Sequence, residues 1–450
     1  MQDQSNSQSS AVSRRQFLKS STLAAGSVAA VASFPSILHA QDKKAIRAVI
    51  IGLGGRGGGA GGNFMEAVKA TGVDGKIVAV ADLFPEQANH GQDNFGVPAD
   101  KCFSGFDAYM KALEVPEVNY AILATPPGFR SAHFKACVEA GKNVFMEKPV
   151  AVDGPTARMM YAAAEASKQK NLKVAAGTQR RHQTGYIETI KRLHDGAIGD
   201  ITTLRVYWVN GGPIWCHKEH GDTDLERQIR NWDHYIWLCG DHICEQHVHN
   251  LDVGNWVMKD HPVRCWGMGA RQELDLPSSD FPSGKPGEIW DNFAVEYEYK
   301  SGARMYAYCG QIDRDWSSVS EGVQGTRGTS DPGGRISPKG GPAWRNRDGG
   351  RDPYTQEHVD LINAIVNDTE LNEARQVTDS TLTAIMGREA AYSGAGVEWD
   401  AILKSEFAYG PEALFSDCSK MQYGPFRTLK PPMPKAHDIL KNPPLVSVKA

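Results

Sequence analysis

Three glycines spaced as Gly52-x-Gly54-x-x-Gly57 offer one definite kind of chemistry. Where side chains are missing, a chain can turn tightly and let a pyrophosphate approach the backbone N–H groups that open a helix. Glycine is plentiful here, 46 of 450 residues, so the spacing alone is a weak signal. Its setting strengthens it. The apolar run 45–53 reads as a buried strand leading into the turn, whose Gly55 and Arg56 complete the loop, and 63–70 reads as the helix after it. A second apolar strand, 77–81, ends at Asp82. An acid at that position accepts hydrogen bonds from adenosine ribose hydroxyls and repels an added 2′-phosphate, which favours NAD over NADP. Arg56 could serve either the pyrophosphate or a 2′-phosphate, so NADP stays open. Asp82 would also suit a helix N-cap ahead of Phe84-Pro85-Glu86.

A second constellation gathers Cys239, His242, Cys244, Glu245, His247 and His249. All are ligand types for zinc, but their spacing matches no common structural zinc pattern, and no metal is assigned. Trp232, Tyr235, Trp237 and Trp256 could stack on a sugar face or pack a helical core. Arg180, Arg181 and His182 follow a strand end, where they either line a substrate cleft or form a solvated turn.

Strands at 45–53, 77–81, 120–124, 143–146 and 174–176 alternate with amphipathic helices at 84–95, 131–140 and 156–168. That alternation predicts an α/β architecture with an N-terminal, doubly wound parallel sheet of the Rossmann type. Further on, 201–209, 263–270, 292–299 and 303–309 show β patterning, with Lys300-Ser301-Gly302 as a hairpin connection. They predict a C-terminal α/β domain with a large, mainly antiparallel open sheet. Residues 325–351, crowded with Gly, Pro, Arg and Asp, read as a long irregular loop. The resulting division is a signal over 1–40, a dinucleotide-binding domain over 45–170, a substrate-binding and oligomerisation domain over 171–424, and a proline-rich tail over 425–450.

The bulk properties agree with a two-domain globular protein. With 49 basic and 53 acidic side chains and no basic stretch beyond the N-terminus, nucleic acid is not expected as a partner. The stretch Ser13-Arg14-Arg15-Gln16-Phe17-Leu18-Lys19 and the mildly apolar run 20–38 resemble a twin-arginine export signal. Ala, Ser and Gly dominate the run, and Pro35 interrupts it before the roughly 20 apolar residues that span a bilayer. Cleavage is expected after Ala40. Such a signal implies the twin-arginine translocation machinery as a partner and a periplasmic or otherwise exported destination. Because that route carries folded proteins, it also implies a tightly held cofactor. The eight irregularly spaced cysteines are expected to be mostly buried free thiols.

At Thr125-Pro126-Pro127, His133 and above all Glu147-Lys148-Pro149, the sequence resembles the glucose-fructose oxidoreductase / inositol dehydrogenase family, Gfo/Idh/MocA, over 45–400. The resemblance implies that Thr125, Pro126, Pro127, Glu147 and Lys148 border the cofactor. It makes Lys148 a catalytic residue beside nicotinamide and substrate, with Glu147 as its partner and Pro149 shaping the domain junction. The family's second signature, Asp-x-Gly-x-His-x-x-Asp, falls on 240–252. His249 takes the histidine position, Glu245 replaces the aspartate, and His247 stands where glycine is common. Oxidising a carbinol carbon requires a base for the hydroxyl proton, and a neutral imidazole titrates in the right range. His249 is therefore the expected base, Lys148 polarises the same oxygen, and Glu245 orients or relays. His247 is either a substrate contact or a buried, hydrogen-bonded histidine.

What the resemblance implies is a dehydrogenase acting on a sugar, sugar acid or cyclitol with NAD, built as a homodimer or homotetramer through the second domain's open sheet. Two alternatives stand beside it. One is a redox-assisted glycoside hydrolase or lyase that oxidises a ring hydroxyl, cleaves, and regenerates its NAD. The other is a non-catalytic exported binding protein, against which Lys148 and His249 argue.

Overall fold

Ile46, Ala48, Val49, Ile50 and Ile51 are almost wholly buried, and this run forms β1 (Ile46–Ile51) inside a parallel sheet whose two faces are both covered. Its companions are β2 (Gly75–Asp82), β3 (Cys102–Ser104), β4 (Tyr120–Leu123), β5 (Asn143–Met146) and β6 (Val174–Ala176). They are ordered β3-β2-β1-β4-β5-β6, and every pair runs parallel. The chain winds outward in both directions from β1, so the β1/β4 boundary is the switch point at which such sheets open a crevice. The computed structural model describes 45–438 apart from 212–215, 217–220 and 314–315. The expected twin-arginine signal over 1–40, with cleavage expected after Ala40, and the end of the tail beyond 438 lie outside the described residues.

The first helix, Gly55–Thr71, starts eight residues earlier than its apolar pattern suggests and takes in six glycines. Each glycine weakens a helix by about 1 kcal/mol relative to alanine. Close packing explains two of them. A Cβ on Gly57 would lie 1.9 Å from the Gly52 carbonyl oxygen, and one on Gly61 would lie 2.5 Å from Phe95 and 2.7 Å from Ile50. The edge strand β3, too short to show a pattern, was not legible in the sequence.

The second sheet has nine strands: β7 (Ile201–Val209), β8 (Pro262–Ala270), β9 (Asn292–Tyr299), β10 (Arg304–Gly310), β11 (Ser318–Gly325), β12 (Gly328–Asp331), β13 (Arg335–Pro338), β14 (Trp344–Arg345) and β15 (Val397–Glu398). Their order is β14-β13-β12-β11-β7-β10-β9-β8-β15, antiparallel throughout except for the β7–β10 pair. The expected loop over 325–351 is corrected. Its glycines and Asp331 make turns between short antiparallel strands, and Ile336 and Ser330 are buried there. One sheet face packs on the buried helices Val248–Met258 and Ala374–Ser393. Trp266, Met268, Tyr308, Trp316 and Val319 remain exposed, Met268 by 72%.

The helix Pro353–Asn367 lies between β14 and β15 of the second sheet in sequence but packs on the first. Its Leu361, Ile362 and Ile365 join Ile46, Ile50, Phe64 and Phe145 in one apolar cluster, and the Tyr120 hydroxyl meets His358 Nδ1 at 2.7 Å. No cysteine pairs with another among the described residues. Six are buried, while Cys102 and Cys216 are half-buried.

Candidate active site

The carboxyl ends of β1, β2, β4, β5 and β6 deliver Gly52, Asp82, Thr125, Glu147 and Gly177 to one rim, and together they border a cavity of about 850 Å³. The second domain closes it with Trp208, Trp232, Glu245, Gln246 and His249.

The glycines of the turn divide the labour. Gly52 has φ +91°, and a Cβ there would sit 2.6 Å from the Thr125 amide nitrogen. Gly52 and Gly57 thus let turn and helix close on each other, although Gly57 itself does not line the cavity. Around Gly54 and Gly55 an added Cβ would meet nothing within 4 Å, which leaves room for a ligand. Gly54 caps the helix without a side-chain hydrogen bond, and the first N–H groups after it have no intrahelical acceptor. Asp82 accepts hydrogen bonds from Leu53 N at 2.7 Å and Phe84 N at 3.0 Å, bracing this turn, while burial raises its pKa. The N-cap of the following helix is Phe84, not Asp82. An anion-binding helix end, open space at two glycines and a half-buried acid at the ribose position fit a nicotinamide dinucleotide.

Lys148 Nζ forms an ion pair with Glu245 Oε1 at 2.7 Å and donates a further hydrogen bond to the Glu245 carbonyl. Both side chains are nearly buried, 11% and 12% exposed. The expected Lys148–Glu147 partnership is corrected: Glu147 Oε1 instead binds Arg56 Nε at 2.5 Å, and Arg56 lies over the Tyr354 ring. Gly177 makes room for this, since a Cβ there would fall 2.4 Å from Glu147 Oε2. A carboxylate and an ammonium on adjacent residues point away from each other along an extended chain, so each finds a partner elsewhere.

His249 stacks on Trp208 with ring centroids 5.7 Å apart. Burial, reinforced by the Lys148 and Arg180 cations, pushes its pKa well below the usual range, so the imidazole is neutral. Asp241, which takes φ +69°, holds the loop that carries these groups. Its carboxylate accepts from His242 N at 2.5 Å, from Trp290 N at 2.7 Å and from the Tyr392 hydroxyl. Burial raises the Asp241 carboxyl to about 7. Burial, with Glu245 next, raises Asp233 to about 8 beside the Lys148–Glu245 pair.

Of the expected substrate contacts, only Trp232 lines the cavity. Arg180, Arg181 and His182 turn inward. Arg180 pairs with Glu321 at 2.8 Å, and Arg181 donates three hydrogen bonds to Asp252. His182 lies 2.7 Å from Asp360 and 3.4 Å from Glu373. Burial opposes the charge on His182, but Glu373 and Asp360 outweigh it and raise the imidazole to about 11. The cations are thus consumed by carboxylates from distant segments. His247 is fully buried, its pKa pushed down by desolvation to about 3, and Tyr235 belongs to the core. Among the described residues no group of three or more His, Cys, Asp or Glu side chains is arranged for a metal ion.

Sequence reasoning missed Arg130, Trp208, Arg230 and Tyr354, all on the cavity wall. Arg130 had a signal, its position in the turn of helix that follows Pro126-Pro127, and its Nη2 donates to the Thr125 carbonyl at 2.6 Å. His133, from the same helix, lies 3.2 Å from Thr125 Oγ1, and burial lowers its pKa to about 3. The others come from segments with no motif.

Comparison with known proteins places these observations in context. Residues 46–177 match the GFO_IDH_MocA profile, an oxidoreductase family with an NAD-binding Rossmann fold, and 186–330 match the GFO/IDH/MocA C-terminal domain. An inositol 2-dehydrogenase of Rubrobacter xylanophilus is 24% identical over 280 residues, 60% of this chain and 72% of that one. A glycosyl hydrolase family 109 protein of Streptomyces coelicolor is 26% identical over 161 residues, 35% of this chain, and the match spans only 32% of that protein's length. The solved structure of a levoglucosan dehydrogenase in complex with NADH and levoglucosan shares the fold, with a TM-score of 0.63 and 15% identity over 78% of this chain and 99% of the other.

Proposed function

This chain belongs to the GFO/IDH/MocA oxidoreductase family, and from that premise we propose that it is an exported enzyme passing hydride between a hydroxyl-bearing carbon of a sugar, sugar acid or cyclitol and a tightly held NAD. The observation that carries the reading is the meeting, on one cavity, of the glycine turn, the Lys148–Glu245 pair and the neutral His249. NAD bound at the turn supplies the hydride acceptor. Asp82 favours it over NADP through charge. His249 takes the hydroxyl proton, its neutrality secured by burial. Lys148, held by Glu245, polarises the same oxygen, and the carboxylate of Glu245 orients the ammonium. Trp208 and Trp232 offer apolar ring faces to a carbohydrate.

The test is to denature the purified mature protein, identify released nucleotide by mass spectrometry, and assay NADH formation on free sugars, sugar acids and cyclitols. Absence of bound nucleotide, together with failure to bind added NAD or NADP, would refute it. The likeness to a glycosyl hydrolase family 109 protein supports a second reading, redox-assisted glycoside cleavage. That reading requires glycoside breakdown without net NADH.

Export rests on Arg14-Arg15 and the run after them. A variant with both arginines changed to lysine should stay in the cytoplasm, and unchanged fractionation would refute this part. Assembly through the open sheet rests on its exposed Trp266, Met268 and Trp316.

A further inference from the structure

Among the described residues beyond Lys404 the chain forms only short helical turns, yet 411–438 is fastened at many points to both domains. On the first domain, Cys418 Sγ lies 3.4 Å from the Tyr109 hydroxyl, and Tyr423 packs on Phe106 with centroids 5.3 Å apart. On the second, the Gly424 carbonyl accepts from Leu225 N at 3.2 Å, the Arg427 carbonyl accepts from Gln228 Nε2 at 2.9 Å, and Phe426 stands edge-on to Trp237 at 5.3 Å. Farther along, His437 Nε2 meets Glu389 Oε2 at 2.6 Å. The segment therefore crosses from one domain to the other.

It crosses at a particular place. Cys418, Tyr109 and Phe106 line the cavity on the Asp82 side, where the adenosine half of a dinucleotide belongs. The helix Asp224–Arg230 reaches the same end from the second domain with Ile229 and Arg230. The Arg230 guanidinium lies 3.8 Å from the Phe84 ring centroid and pairs with Glu86 at 2.9 Å.

We propose that 412–428 and the Asp224–Arg230 helix form a strap across the adenosine end of the cofactor cavity, so that the dinucleotide leaves only when the strap lifts. This inference rests on the NAD reading above and deepens it. Both fastenings, Tyr423 to Phe106 and Arg230 to Phe84 and Glu86, join a covering segment to the wall that holds adenosine. A cofactor held under such a strap stays through successive turnovers, and the hydride it takes from a hydroxyl-bearing carbon passes in place to the carbonyl carbon of a second sugar, which takes up a proton and leaves as the alcohol. The strap acts on the rate of escape more than on contact with the ligand, and interface changes of this kind show mainly in dissociation.

The experiment uses the full mature chain loaded with NADH, displaced by excess NAD and followed by loss of bound NADH fluorescence. Tyr423→Ala and Arg230→Gln should each speed release by about tenfold, while Lys430→Ala, on an exposed residue outside the fastenings, should leave it unchanged. Arg230→Gln keeps the test decisive if Tyr423→Ala does not fold. Hydrogen exchange across 412–428 should slow when NADH binds. Release within about twofold of wild type in both variants, or no added protection, would overturn the strap. Wild-type protein that binds no NADH would overturn the cofactor reading itself.

Discussion

Consider replacing Gly57 by alanine. The new Cβ would stand 1.9 Å from the Gly52 carbonyl oxygen and 2.9 Å from its carbon. These are backbone atoms of a residue that is itself pressed against Thr125, so no side-chain rotation relieves the clash. Overpacking of this kind costs about 1–3 kcal/mol, against a gain of about 1 kcal/mol from alanine in a helix. The expected net change is a loss of zero to 2 kcal/mol, roughly, and relief comes by moving the helix end away from the turn. Withdrawing that end removes N–H groups from the pyrophosphate, and a loss of about 1.4 kcal/mol there weakens NAD binding tenfold. Gly62→Ala is the matched control. Gly62 is exposed, lies in the same helix, and an added Cβ meets nothing within 4 Å, so the variant should gain about 1 kcal/mol and bind NAD normally. In a chain of this size 1 kcal/mol moves Tm by only about 1 °C, so urea titration with calorimetric NAD binding is the assay. If Gly57→Ala binds NAD as tightly as wild type, the division of roles among the glycines is wrong.

Lys148→Ala should lower turnover by about 10²–10⁴ while NAD affinity changes little, and a variant that keeps its kcat would remove Lys148 from the chemistry. His182→Leu leaves Glu373 and Asp360 without their cation and should cost about 3–5 kcal/mol in urea titration. His182 has its pKa raised to about 11, so its stabilising share is complete below about pH 6.5 and fades as pH climbs toward that value. The gap between wild type and His182→Leu should therefore narrow on the alkaline side, and a gap that widens would contradict the pairing. Asp82→Asn keeps the acceptor for one backbone amide but drops the charge, so the ratio of NADP to NAD affinity should rise about tenfold in titration calorimetry. Met268→Lys combined with Trp316→Glu should shift the protein toward monomer in light scattering, and a wild-type monomer would refute assembly through that face.

The sequence made the first sheet readable because buried parallel strands are continuous apolar runs, and 143–146 and 174–176 match the observed strands in full. The glycine turn, Asp82 and Lys148 lie on the cavity because motifs at strand ends inherit their position from the fold, and Glu245 and His249 reach it from the helical segments His242–Glu245 and Val248–Met258. Illegible were the features decided by distant partners. Nothing near Arg180, Arg181 or His182 announces that Glu321, Asp252 and Asp360 will claim them. Glu147 and Lys148 are neighbours in sequence, yet their partners Arg56 and Glu245 lie about 90 and 100 residues away. The meander of β12 to β14 was hidden because its strands are so short that turn residues dominate the composition.

The return of the helix Pro353–Asn367 to the first sheet has a consequence for synthesis. Ile46, Ile50 and Phe145 emerge from the ribosome early, with Phe64 and Ala67 of the first helix beside them, but the rest of that cluster arrives only with Val359, Leu361, Ile362 and Ile365. At 5–20 residues per second, the interval between β6 and the end of that helix lasts roughly 10–40 s, during which one side of the nucleotide-binding sheet lacks part of its cover. The nascent first domain is thus a natural client for a chaperone, and a fragment ending at β6 would be expressed with that face partly bare and prone to aggregate. A polypeptide of this topology completes the packing of its dinucleotide-holding half only after most of the second sheet has been made.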